Sequence, residues 1–348
     1  MRSFARRCLL ALSLACGLFG PGVAHGETPP SVWDSAKDPL ARDRYRLHLE
    51  VQELLEIRAL PEIGSLRNLT ADRARVMLEA KDAAHSPDPR LRFDLAEVYE
   101  LLERYDAVIG VLEGALAMAP DHPAATRAWF QLAGAYAHKD SAESSRKEIS
   151  AYREFLARET DDEDRAIALL NLAEAEMHLG EMERSITDYQ ESLHLAASSP
   201  RLRGPETEIL AVWGLAVAYD RSGDATGAAA QSKLATQMDA RDIRISDKRY
   251  TFFVPEYERN WYLGLAAMAH ARDATDPRVI LAHWVDAEQR WESYLAGAER
   301  LSSGDRWIVR ARSHRDFAKA QRVKAAARVA KLPPPLRRST PAMDLQIN

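Results

Sequence analysis

Cysteine is nearly missing from this 348-residue chain: there are two, Cys8 and Cys16, both within the first 26 positions. Beyond those positions no disulfide, thiol nucleophile or cysteine-ligated metal is available, so the fold must rest on packing. No second apolar run approaches the ~20 residues that a helix needs to cross a bilayer. Charge of one sign is not concentrated either. The 47 Lys and Arg are scattered among 52 Asp and Glu, for a net charge of −5, which excludes the basic stripe of a nucleic-acid binder. His-Glu-x-x-His, a phosphate-cradling glycine loop, Gly-x-Ser-x-Gly and a calcium loop are all absent. The histidines stand far apart with no close ligand pair. The expectation is therefore no metal, no cofactor and no enzyme. What the chain does have is apolar material, 46% of its residues, enough for a continuous core.

The N-terminus reads as a secretory signal peptide over residues 1–26. Arg2, Arg6 and Arg7 precede a short apolar stretch, then Pro21 and Gly22, with Ala24 and Gly26 at the small positions before a cut ahead of Glu27. Removal of this leader takes three bases and no acid, leaving a net charge of −8. The expected localisation is export across the inner membrane to a periplasmic or envelope-associated site. Cys16 after Ser13-Leu14-Ala15 leaves lipidation open as a variant, although the order of small and large residues departs from a lipoprotein signal.

Four stretches share one helical signature. They are Arg92-x-x-Leu95-Ala96-x-x-Tyr99, Trp129-x-x-Leu132-Ala133-x-x-Tyr136, Leu169-x-x-Leu172-Ala173-x-x-Glu176 and Val212-x-x-Leu215-Ala216-x-x-Tyr219, each followed by a second amphipathic stretch. A large residue next to a small one lets an antiparallel partner helix come close, and Gly180 suits the left-handed end of the third of these helices. The pattern resembles the tetratricopeptide repeat family, well over residues 90–237 and loosely over 255–325. The marked positions are nevertheless spaced more widely than the family's 34-residue unit. The resemblance implies an all-α fold, an α-solenoid of antiparallel helix pairs wound into a right-handed superhelix.

The remaining segments fit around that array. Residues 27–88 read as an N-terminal helical cap, with one helix over 38–58 and another over 71–84 N-capped by Thr70. Residues 89–330 read as the repeats, interrupted near 240–255 by an extended insert whose Phe252, Phe253 and Val254 plug the gap between repeats four and five. The segment 152–157 echoes 291–296, and both read as second helices of a pair. A last helix, over about 305–330, is expected to turn Trp307, Ala311, Phe317 and Val323 to one side. Residues 331–348 are expected to be a disordered Pro-rich tail. The acids at 161–164 read as a solvated connection.

For the resembled family, the groove-lining places of each first helix correspond here to Phe93, Phe130, Leu170 and Trp213, with Glu97, Glu100, Gln131, Asn171, Glu174 and Asp220 nearby. An apolar row ringed by acids suits an apolar helix or an extended peptide that carries some basic residues. An intramolecular segment covering the same row is the competing expectation. The functional expectation is a non-enzymatic protein-protein interaction scaffold with a protein or peptide partner. A lipid-anchored outer-membrane assembly factor is the alternative. A peptidoglycan lytic transglycosylase, suggested only by the pair Glu292-Ser293, is remote, because that pair lies within a repeat helix rather than in a cleft that could tune an acid.

Overall fold

A computed structural model describes residues 38–59, 66–198, 204–247, 251, 253–300 and 305–333. The leader at 1–26 with Cys16, Phe252, and the tail from 334 lie outside the described residues. The fold is an all-α solenoid of antiparallel helix pairs. Its helices are α1 (Pro39–Ala59), α2 (Arg67–Glu79), α3 (Pro89–Leu101), α4 (Tyr105–Met118), α5 (Ala125–Ala137), α6 (Ala142–Leu156), α7 (Asp162–Leu179) and α8 (Met182–Ser198). They continue with α9 (Gly204–Ser222), α10 (Ala225–Met238), the single turn α11 (Ile243–Ser246), α12 (Arg259–Asp273), α13 (Pro277–Ala298) and α14 (Ile308–Val329). Each helix packs on the next, and first helices also meet across pairs, α3 on α5, α7 on α9 and α9 on α12. Connections of a few residues force the antiparallel arrangement.

The ends of the helices are written in the sequence. Asp88 accepts a hydrogen bond from the Arg90 amide ahead of Pro89 in the first turn of α3, and Ser141 accepts one from Ser144 at α6. Asp224 serves the amides of Thr226 and Gly227 at α10, and Asp276 serves Arg278 at α13. Each such cap contributes about 1 kcal/mol. Gly180 ends α7 at φ 81°, in the left-handed region that favours glycine.

The shared signature is the spine of the core. Leu95, Leu132, Leu172 and Leu215 are buried, and Ala96, Ala133, Ala173 and Ala216 are wholly inaccessible, so each alanine sits where neighbouring backbones approach. The two echoing segments fall on the second helices α6 and α13, with Tyr152, Phe155, Trp291 and Tyr294 all buried. The C-terminal half differs in kind from the first. Every residue of α9 from 211 to 218 is buried, as is nearly every residue of α12 from 261 to 271. Helices enclosed on all sides belong to a core, not to an open groove.

Four expectations are corrected. Thr70 is no cap: α2 begins at Arg67, and the Thr70 hydroxyl donates to the Arg67 carbonyl from inside the helix. The acids at 161–164 do not form a solvated connection. Asp161 caps α7 and the other three occupy its first turn, where negative charge complements the exposed N–H groups. The insert is not extended throughout, since Ile243–Ser246 closes a helical turn that buries Ile245. Phe253 does fill the space behind α12, 5.0 Å from the Tyr262 ring and buried. Finally, α14 faces the stack with Ala311, Ala318 and Ala325, spaced by seven, and leaves Phe317 and Val323 largely exposed. Small residues permit the close approach to α13 that the larger ones would prevent.

Candidate functional site

The apolar row expected from the repeat register is not a surface. Trp213 is fully buried in α9. Phe93 is buried and stacks on His122, with ring centroids 5.0 Å apart, and Phe130 meets Tyr152 and Phe155 edge-on at 5.6 and 5.1 Å. Leu170 packs against the C-terminal core. Asp220 is interior as well. It accepts from Trp261 Nε1 at 3.0 Å, Arg310 Nη2 at 2.9 Å and His314 Nε2 at 2.8 Å. Burial pushes its carboxyl up, but the His314 and Arg310 contacts more than offset this and hold it below the usual range. Trp213 and Asp220 are core because α9 and α12 are enclosed on the side that a groove would occupy, whereas Phe93 and Phe130 are covered by rings from their own neighbouring segments.

The polar members divide between two places. Glu97, Glu100 and Gln131 come together between α3 and α5: Arg127 Nη2 donates to Glu97 at 3.0 Å and Gln131 Nε2 to Glu100 at 2.6 Å. Burial lifts the Glu100 carboxyl to about 7 against the opposing pull of Arg127 and Gln131. Asn171 is half-buried on α7. Glu174, one turn further along α7, is coupled by charge to Glu148 and Glu258 of the second place, a cavity of about 290 Å³ at the point where the chain closes on itself.

That closure is made by the connection before α14. Arg306 Nη1 donates to the Leu179 carbonyl at 2.6 Å across 127 positions of sequence. Gly180 makes the contact possible, because a Cβ there would overlap the Arg306 guanidinium. Asp305 accepts from Tyr294 at 2.6 Å and Tyr257 at 2.9 Å, fixing the same connection to α13 and to the 3₁₀ turn Glu256–Glu258. The cavity enclosed there is lined by Ser145 and Glu148 of α6, His178 of α7, Tyr257, Glu258 and Trp307.

Its electrostatics are acidic. Arg221, fully buried, pairs with Glu258 and lies over the rings of Trp261 and Trp307, 4.6 and 5.3 Å from their centroids. Burial raises the half-buried Glu174 to about 7, helped by the charge of Glu258 and opposed by Arg221. Glu148 is pushed well above the usual carboxylate range by burial and then by Glu174. His178 is lowered, by burial first. No set of three or more side chains among the described residues could hold a metal ion.

Sequence reasoning reached Glu174 but missed Glu148, His178, Arg221, Glu258 and Asp305. One signal was available for Glu148. Ser145, Glu148, Ile149, Tyr152 and Phe155 recur at helical spacing and all are buried, which puts an acid on the apolar face of α6. A second lay in the signature itself, where Glu176 stands at the place that Tyr136 takes in α5. Glu176 is buried, and it accepts from Arg153 at 2.8 Å.

No protein-family model matches the chain, and no curated protein does. Among solved structures, the chain is similar to a tetratricopeptide repeat protein from Parabacteroides merdae, at 13% identity over 79% of this chain and 98% of that one, with a TM-score of 0.44. It is also similar to yeast Tom70, at 12% identity over 93% of this chain and 73% of that one, with a TM-score of 0.36. The helix-pair architecture rests on the packing of this chain itself.

Proposed function

We propose that this chain is a non-enzymatic interaction scaffold of the bacterial periplasm or envelope, which holds a segment of a protein partner against its helical array. The observation that carries this reading is the acidic cavity at the closure, where a rigid stack of helix pairs presents buried carboxylates that its own cations leave uncompensated. The aromatic row that would have gripped an apolar helix is spent on the core, so recognition is polar. Glu292 sits on the exposed face of α13, away from the lining of the cavity, and gives no support to a transglycosylase. Among the described residues no helix is long and apolar enough to cross a membrane.

Selection of a displayed random peptide library on the purified chain tests the scaffold. Reproducible enrichment of a sequence class that competes with its own synthetic peptide is expected, and no enrichment over an unrelated helical array would overturn the reading. Export is tested separately by fractionation and mass spectrometry of the mature N-terminus. A start at Glu27 is expected, an acylated Cys16 would favour the lipid-anchored alternative, and retention of the leader in the cytoplasm would remove the localisation.

A further inference from the structure

We propose that the cavity beneath Trp307 is a receptor for one organic cation, the ammonium or guanidinium end of a basic side chain carried by the partner, with the Glu148 carboxylate as its acceptor. This deepens the scaffold reading and rests on it for the source of the cation.

Glu148 is the central observation. It is only 7% exposed, lines the cavity, and forms no hydrogen bond or ion pair with any described residue. A buried carboxyl without a partner is costly unless it is neutral or meets a cation. The neighbouring cations are engaged with other groups. Arg221 is committed to Glu258, so the three acids Glu148, Glu174 and Glu258 share a single buried positive charge. At the rim, Lys139 pairs with Asp106 and Arg306 holds the Leu179 carbonyl. Asp140 and Asp305 add negative charge there, and His178 is held neutral near pH 7 by burial.

Shape and chemistry exclude other occupants. A volume near 290 Å³ is about tenfold a water's share of liquid, enough for the end of a long side chain. An anion would meet four carboxyl-bearing residues, Asp140, Glu148, Glu258 and Asp305, against two basic ones, Lys139 and Arg306, that are already engaged, and an apolar group would bury the acids without compensation. The Tyr257 ring borders the same space, and aromatic rings attract ammonium and guanidinium groups, as Trp307 on the same lining already does with Arg221 and Arg306. Binding has a proton balance. The bound cation keeps its protons, Glu148 gives up the one that burial holds on it, and that proton leaves to solvent. Binding therefore strengthens as pH rises through the raised range in which Glu148 ionises.

Calorimetry of the full chain with n-butylammonium and n-butylguanidinium, at pH 5.5 and 7.5 in two buffers of different ionisation enthalpy, tests this. Saturable one-to-one binding with proton release is expected, with affinity at least about tenfold higher at pH 7.5. Glu148→Gln should lose at least about tenfold, the effect of one charge-assisted hydrogen bond, while keeping its melting transition. Ala142→Trp, exposed at the cavity mouth, should block both probes while leaving the acids in place. Absence of saturable binding at millimolar probe, undiminished affinity in Glu148→Gln, or binding without proton release would overturn the proposal. The peptide selection separates the two readings. Enriched peptides indifferent to replacement of their Lys or Arg by norleucine would defeat the cation site and leave the scaffold standing. Binding of the free cations with no peptide enriched would defeat the scaffold, and with it a partner as the cation's source.

Discussion

Replacing Glu174 by Gln should stabilise the protein in a pH-dependent way. In the folded chain the carboxyl titrates at about 7 against an ordinary value of 4.5. Between those values the native state binds more protons than the unfolded one, so this residue makes stability fall as pH rises. Its favourable contribution is complete below pH 4.5 and gone above about pH 7. At about 1.4 kcal/mol per unit the full difference is ~3 kcal/mol, and water reaching the half-buried side chain reduces it to roughly 2. Gln keeps the shape and removes the titration. Glu174 also helps to raise Glu148, so its removal lets Glu148 ionise at lower cost and adds to the gain at high pH. Urea unfolding followed by circular dichroism should show the two chains nearly equal near pH 4.5 and the variant ahead by about 2 kcal/mol at pH 8, or roughly 3 °C in Tm. Slopes from Glu100 and Glu176, present in both chains, cancel in the difference. A gap that stays constant with pH, or that favours the wild type at pH 8, would refute the burial of Glu174 beside the charge of Glu258.

Ala216→Leu should cost about 1–3 kcal/mol by overpacking the inaccessible contact between α9 and its neighbours, whereas Ala230→Leu on the exposed face of α10 should be neutral; equal urea midpoints would count against the helix register. Asp220→Ala strands Arg310, His314 and Trp261 Nε1 without their shared acceptor, and a loss of about 3–5 kcal/mol is expected by the same assay. Gly180→Ala is expected to cost roughly 1–2 kcal/mol in backbone strain and to detach Arg306 from Leu179. Faster proteolysis in the connection before α14, with the N-terminal half still protected, checks that.

The helix pairs could be read from the sequence because their determinants are local. Leu132-Ala133 and Tyr136 lie one turn apart on a single helix, and their burial follows from that helix alone. The site could not be read in the same way, because its geometry comes from contacts between distant segments. Positions in a repeat register identify a groove only if nothing lies across it, and no feature of α9 taken alone states that α11, α12 and the connection before α14 fold back over its other side. The sequence of α9 did carry a trace of this: 211–218 reads Ala-Val-Trp-Gly-Leu-Ala-Val-Ala, with no polar face to turn to water. A helix of that composition is enclosed, whatever its repeat number. Trp213, in the middle of that run, is a core residue by composition alone.

The same reasoning explains why the usable chemistry ends up at the closure. Glu97 and Glu100 keep the outward positions that the register assigns, yet Arg127 and Gln131 on the next first helix satisfy them. Between α3 and α5 each acid has a partner one repeat away, as a stacked array tends to arrange. At the closure that regular one-to-one matching breaks down for Glu148. The elements meeting there, α6, α7, the 3₁₀ turn Glu256–Glu258 and the connection before α14, come from different pairs. Their charges are therefore not matched by translation along the stack. Glu258 takes the one fully buried guanidinium, Arg221, and leaves Glu148 without a cation beside a cavity with room for another molecule. An uncompensated charge next to an empty volume specifies its ligand by sign and size, and here both indicate the tip of a basic side chain.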